Sequence, residues 1–183
     1  MDRAEDFIST VTSIDENARL IEYFRKDGLP DCYLTAGCLF QPIWNRRSNK
    51  SDLWGVKDFD LFYFDYDTSW EAENEVIERA NNTLGSLAKR VEIRNQARVH
   101  LWYEKRFGVP SPQLRNSRDG IDRFLISCTC VGIDVQTLEL YAPNGLDELY
   151  YGKLRMNPRN SNPHLYRQKA LDYKARWPWL EVR

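Results

Sequence analysis

The chain has 183 residues, enough for one domain with a sizeable core, and its 42% apolar and 13% aromatic content predicts a core rich in rings. A formal net charge of −1 gives no overall pull toward nucleic acid or membrane. No apolar run approaches the length of a membrane helix, and the four cysteines (Cys32, Cys38, Cys128, Cys130) make neither a C-x-x-C pair nor a metal-ligand spacing with His100 or His164.

With no charged-then-apolar leader either, the sequence predicts a soluble, cytoplasmic protein with reduced structural thiols. Charge is nevertheless uneven. Asp65 to Glu78 carries six acids and no base, and Tyr151 to Arg183 carries eight Lys or Arg against two acids. Both runs read as solvated surface, with the basic one also suited to an anionic substrate.

In chain order, residues 2–12 predict a short helix with Phe7, Ile8 and Val11 on one side. Ser13 and Glu16 have the spacing of a capping box for a second helix, with Ile14, Ala18, Ile21 and Phe24 on one face and Gly28 and Pro30 at its end. Residues 32–36 predict a strand running into Gly37-Cys38. Residues 39–45 predict a short helix that Pro42 limits to a first or distorted turn. Residues 46–54 are polar and predict a loop.

Asp58-Phe59-Asp60 then opens the apolar stretch Leu61 to Phe64, which predicts a buried strand. Thr68 and Glu71 suggest a capping box for a helix over 69–88. Val91-Glu92-Ile93 predicts a brief strand with Glu92 on its own face. Asn95 is the expected N-cap of a helix to Phe107, stopped by Gly108. Residues 109–116 form a linker, and 117–126 predict a helix. Residues 128–134 and 137–141 predict paired β segments, 146–150 a helical turn, 153–156 an edge strand, and 164–176 a last helix before Trp177-Pro178-Trp179.

The chemistry centres on Asp58 and Asp60. Side chains two apart on a strand share a face, so two carboxylates stand side by side. Like charges this close repel, and a divalent cation relieves the repulsion. Glu92 comes from a second strand after an intervening helix, and a helical connection commonly brings two strands into one sheet. Three converging carboxylates offer hard oxygen ligands suited to Mg²⁺ or Mn²⁺. A pair of such ions about 4 Å apart activates an attacking hydroxyl and stabilises a leaving oxygen, and Glu92 could also help remove that hydroxyl's proton. Asp134, on a later β segment, competes with Glu92 for the third place.

The order of these parts resembles the DNA polymerase β-like nucleotidyltransferase superfamily. A Gly-containing turn at a strand end precedes a helix, then Asp-x-Asp on a strand, then a carboxylate on a later strand. The longer strings Ala36-Gly37-Cys38-Leu39-Phe40-Gln41-Pro42-Ile43-Trp44-Asn45, Lys57-Asp58-Phe59-Asp60 with Tyr63-Phe64-Asp65, Asn95 to Tyr103, Ala142 to Leu149 and Trp177-Pro178 resemble a family of small bacterial nucleotidyltransferase proteins within it, over about residues 36–179.

The resemblance implies an α/β (α+β) fold: a small mixed β-sheet flanked by helices over residues 1–108, with a C-terminal helix and β-hairpin extension over 109–183 packed on it. It also implies transfer of a nucleoside monophosphate from an NTP to an acceptor with release of pyrophosphate. Asp58 and Asp60 fall on the metal-binding pair and Gly37-Cys38 on the turn that approaches the triphosphate. Glycine there lets the backbone come close to phosphate at a helix start. Two departures stand out: Cys38, where the superfamily usually has Gly or Ser, and Glu92, where it more often has Asp.

Asn95 and Arg98 share a helix face and are candidates to contact substrate, with Arg98 gripping phosphate or pairing with an acid to fix the site. His100 reads as a hydrogen-bonded, half-buried histidine. Trp44, Trp102, Trp177 and Trp179 read as core or rim packing, with base-stacking platforms as the alternative, and Lys57 points away from the acids. The acceptor remains open among a small molecule, a protein side chain and an RNA end, and nothing points to long nucleic acid. Two other functions fit the same acids: an inactive member of the fold that binds nucleotide or a partner, and another metal-dependent phosphoryl-transfer enzyme or hydrolase.

Overall fold

A computed structural model describes residues 2–183. Helix α1 (Arg3–Thr12) buries Phe7 and Val11, and α2 (Asp15–Asp27) buries Leu20, Ile21 and Phe24. Ser13 does not cap α2. Only two residues separate the helices, and Ser13 is consumed at the end of α1, its N–H bonding Ser9 O and its hydroxyl donating to Thr10 O. Gly28 ends α2 at φ +74°, the left-handed conformation expected of a glycine C-cap.

Strand β1 (Tyr33–Thr35) is fully buried and leads into α3 (Gly37–Arg47). Pro42 does not shorten this helix. A proline has no N–H for the carbonyl four residues back, here that of Cys38. The buried side chain of Asn17 supplies the missing donor, its Nδ2 reaching Cys38 O at 3.2 Å. An 11-residue helix therefore runs through the proline.

Strand β2 (Phe59–Tyr63) alternates as expected. Phe59, Leu61 and Tyr63 are buried, and Asp60 and Phe62 are half-buried on the other face. Helix α4 (Trp70–Leu84) follows, but its cap is Ser69 rather than Thr68. Ser69 Oγ accepts the Ala72 N–H at 3.2 Å, while the Thr68 carbonyl is held by Arg98 Nε at 3.0 Å. Val76, Ala80 and Leu84 face the core, and Trp70 lies exposed at the start. The helical region continues past Gly85 as a 3₁₀ segment to Arg90 and enters β3 (Val91–Asn95).

A 3₁₀ turn at 96–98 precedes α5 (Val99–Phe107), closed by Gly108 at φ +73°. Helix α6 (Ser117–Ile121) is half the expected length, because Asn157 Nδ2 donates to the carbonyls of Asp122 and Phe124, both at 2.7 Å, and turns the chain there. Strands β4 (Gly132–Asp134) and β5 (Leu140–Tyr141) are shorter than the expected 128–134 and 137–141, a 3₁₀ turn taking Ser127–Thr129; helix α7 (Asp147–Tyr151), strand β6 (Lys153–Leu154) and helix α8 (Pro163–Arg176) follow. A final strand, β7 (Glu181–Val182), is not marked by any alternation; it pairs in parallel with β6.

The main sheet is mixed, in the order β3-β2-β1-β4-β5, with β2 and β3 parallel and the other pairs antiparallel. Strand β4 thus joins residues beyond 109 to the same sheet as β1 and β2. Helix α8 is tied to α3 by rings and polar contacts. Trp44 and Trp177 lie 5.2 Å apart and Trp44 and Tyr173 5.4 Å apart, and Trp177 Nε1 donates to the buried Asn45 Oδ1 at 2.9 Å. Edge-to-face rings with a satisfied indole N–H hold a helix firmly in place, and this seam sets α8 beside the open face of β2.

Candidate nucleotide-binding cleft

A cleft of about 420 Å³ opens over that face. Ala36 and Gly37 from the β1–α3 turn, Asp58 from the residue just before β2, Asp60 from β2 itself, Arg94 from β3 and Lys169 from α8 line one part of it; the strand begins at Phe59, so the expected strand placement holds for Asp60 and not for Asp58. Register explains the grouping. Asp60 is level with Thr35 on β1 and Glu92 on β3, and Phe62 with Arg94. Because strand side chains alternate, Asp60, Phe62, Glu92 and Arg94 share one face while Leu61, Tyr63 and Ile93 serve the core.

Asp60 is enclosed by protein on most sides, with one edge open to the cleft. Its carboxyl is pushed up to about 7, first by burial and then by the neighbouring charges of Asp58 and Glu92, with Lys169 and Arg94 acting in the opposite direction. Such a group is costly to keep ionised without a neighbouring positive charge. Glu92 stands next to Asp60 in register, but its carboxylate leans toward Arg94, 3.7 Å away.

The expected three-carboxylate convergence is therefore incomplete. Among the described residues no three acidic, His or Cys side chains close around a common point. Asp134 does not take the third place either. It is level with Tyr33, two positions along β1 from the Thr35 row, and its Oδ1 accepts the N–H groups of Gln136 and Thr137.

At the turn, Ala36 adopts φ +63°, ψ −139°, a conformation that strains a residue with a side chain. A Cβ at Gly37 would stand 2.5 Å from Gln41 Nε2, the end of a side chain that would have to swing aside. The leading N–H groups of a helix have no partner within it, and those of Leu39 and Phe40 fold back on Ala36 O. The Cys38 thiol is turned away from the cleft. It is fully buried, donates to Thr35 O at 3.2 Å, and is held well above its ordinary range by burial and by the charges of Asp60 and Asp58. Its departure from Gly or Ser therefore bears on packing rather than on phosphate contact through a side chain.

Asn95 and Arg98, expected near substrate, are occupied elsewhere. Asn95 is buried; its Oδ1 accepts the N–H groups of Asp65 and Ala97, and its Nδ2 donates to the carbonyls of Asp65 and Asp67. Arg98 forms an ion pair with Glu73, whose other oxygen accepts the Asn95 N–H at 2.8 Å. These residues fasten α4 to the end of β3. His100 is half-buried as expected, but its Nδ1 has no hydrogen-bond partner among the described residues. Trp44 and Trp177 are core, Trp179 donates to Ser48 Oγ at 2.9 Å on the rim, and Trp102 lines the cleft instead of packing into the core.

Sequence reasoning missed Arg94 and Lys169 as cleft residues. Arg94 was accessible by alternation from Glu92, whereas Lys169 is brought in only by the ring seam between α3 and α8. A family model described as nucleotidyltransferase matches residues 22–182. The chain belongs to the nucleotidyltransferase family. No curated protein matches it. One solved structure, described as an NMR structure that reveals a CCA-adding enzyme head domain, shares 24% identity and superposes with a TM-score of 0.76, covering 98% of this chain and 95% of that one. At that identity the likeness is one of fold, and the fold is that of a nucleotidyltransferase head domain. Among the described residues no helix is long and apolar enough to cross a membrane.

Proposed function

We propose that the chain transfers a nucleoside monophosphate from an NTP to an acceptor hydroxyl and releases pyrophosphate. The observation that carries this reading is the Asp58–Asp60 pair in the cleft, with the half-buried Asp60 pushed up to about 7 beside the Gly37 turn. The donor set fits Mg²⁺ or Mn²⁺. Two carboxylates with open neighbouring space suit an ion that takes its remaining ligands from water and substrate phosphates. Such an ion, held by Asp58 and Asp60, would neutralise charge on the phosphates and lower the barrier to attack at the α-phosphorus.

The chain's own groups supply the rest. Gly37 lets the backbone approach the triphosphate at the start of α3, and Lys169 and Arg94 offset its charge. The acceptor oxygen bonds to the α-phosphorus as the bond to the β-phosphate oxygen breaks, and the hydroxyl's proton passes to Glu92, next to Asp60 in register, when its side chain turns from Arg94 into the cleft. The acceptor is a small molecule, a protein side chain or an RNA end. All four cysteines are free and buried, which suits the reducing cytoplasm.

A second reading, nucleotide binding without turnover, is favoured by one feature: Glu92 leans to Arg94 instead of completing a set with Asp58 and Asp60. Incubating the protein with α-phosphate-labelled NTPs, Mg²⁺ and a cell extract separates the two. Label transferred to a discrete acceptor, and absent with Asp58→Ala, supports transfer. Saturable NTP binding with no labelled product would establish the second reading.

A further inference from the structure

The rest of the cleft differs from its acidic end. Helix α5 turns Val99, Trp102, Tyr103 and Phe107 toward it, yet Val99 is the one residue of the helix that is buried. Phe107 is 41% exposed. The three rings touch one another, Tyr103 and Phe107 at 4.6 Å and Trp102 and Phe107 at 6.5 Å between centroids, and leave part of their surface to the cleft. A helix that buries one side chain is not using its rings to build the core. A second ring pair, Phe62 and Phe124 edge-on at 5.8 Å, lines the same cleft.

One polar side chain lies among these rings with capacity to spare. Gln96 is 2% exposed and lines the cleft; its Nε2 makes a single long hydrogen bond, 3.3 Å to Arg94 O. Its Oε1 lies against Gly120, where a Cβ would stand 2.1 Å away, so residue 120 must be glycine for the carboxamide to stay in place. The carboxylates of the cleft wall are Asp58 and Asp60, at the other end. Half-exposed ring faces suit a flat partner, a carboxamide suits the donor and acceptor edge of a heterocycle, and the absence of acids from this end disfavours a cationic ligand.

We propose that the α5 end of the cleft binds a nucleobase-type heterocycle, stacked on Trp102 and Tyr103 and read along one edge by Gln96. The inference rests on the reading of the acidic end as the phosphate site, and the ring comes from one of two sources, the base of the NTP or the acceptor.

Calorimetry on the full chain with Mg²⁺ tests it, using inorganic tripolyphosphate, the four NTPs and the four free nucleosides. If the NTP base is the source, an NTP binds about 5- to 150-fold more tightly than tripolyphosphate, the range expected from stacking on one aromatic side chain. Trp102→Leu removes that gain, Trp102→Phe keeps most of it, and neither changes tripolyphosphate affinity or thermal stability. If the acceptor is the source, NTPs bind no better than tripolyphosphate, but a nucleoside binds to the tripolyphosphate-saturated protein and Trp102→Leu abolishes this. No gain for any NTP together with no nucleoside binding, or a parallel loss of tripolyphosphate affinity in Trp102→Leu, would overturn the proposal. Failure of tripolyphosphate alone to bind would count against the phosphate reading, while Trp102-dependent nucleoside binding would survive it.

Discussion

Replacing Asp60 by Asn should stabilise the metal-free protein at alkaline pH and leave it unchanged near pH 4. The folded-state carboxyl is raised from 3.8 to about 7, so the native state binds a proton that the unfolded chain releases between these values. Wild-type stability therefore falls as pH rises from about 4 to about 7 and stays lowered above that. Each tenfold change in proton affinity corresponds to about 1.4 kcal/mol, which caps the effect at about 4 kcal/mol. Because the carboxylate's edge opens on the cleft, solvent screens part of this, and about 2 kcal/mol is the working value.

Asn has nearly the same shape and no charge, so the variant avoids the penalty. For a chain of this size 2 kcal/mol is about 4–8 °C in Tm. Thermal melts of both proteins in chelator, from pH 4 to pH 8.5, should show curves that meet at the acid end and separate through neutrality. An equal offset at every pH, or a less stable variant at pH 8, would refute the electrostatic account of this site.

Asn95→Ala should lower stability by about 1–3 kcal/mol, because part-buried N–H and C=O groups of the 65–67 turn and the buried Ala97 N–H lose their partner; NTP affinity that fell with stability unchanged would contradict the structural role assigned to it. Ser69→Ala should cost about 1 kcal/mol in chemical denaturation and Thr68→Ala under about 0.5, whereas the reverse order would restore Thr68 as the cap. Ala36→Gly should raise Tm slightly, since relief of about 1–3 kcal/mol of backbone strain exceeds the added chain entropy of about 0.5–1 kcal/mol; a lower Tm would show that the turn is unstrained.

Much of the fold was legible because it depends on local periodicity. Alternation placed Asp60 opposite Leu61 and Tyr63, and Gly28 and Gly108 ended their helices where left-handed residues were needed. Errors arose where a distant side chain settles a local question. Pro42 sits in mid-helix because Asn17 donates from α2, and α6 stops early because Asn157 takes two of the carbonyls beyond it. The site followed the same division. The Asp58–Asp60 pair lies within three residues of chain and could be read directly, although only Asp60 belongs to the strand. Lys169 is 109 positions from Asp60 and reaches the cleft only because Trp44, Tyr173 and Trp177 pack together. Asn95 and Arg98 were identified as a unit, but what they bind is Asp65, Asp67 and Glu73, which alternation within one element cannot reveal.

The central claim is that Asp58 and Asp60 hold the cation through which an NTP is bound. Calorimetric titration of each NTP with Mg²⁺ or Mn²⁺ into the wild-type chain, Asp58→Ala and Asp60→Ala tests it most directly. The account expects saturable, metal-dependent binding in the wild type and its loss in both variants while they remain folded. Unchanged metal-dependent affinity in both variants would contradict it.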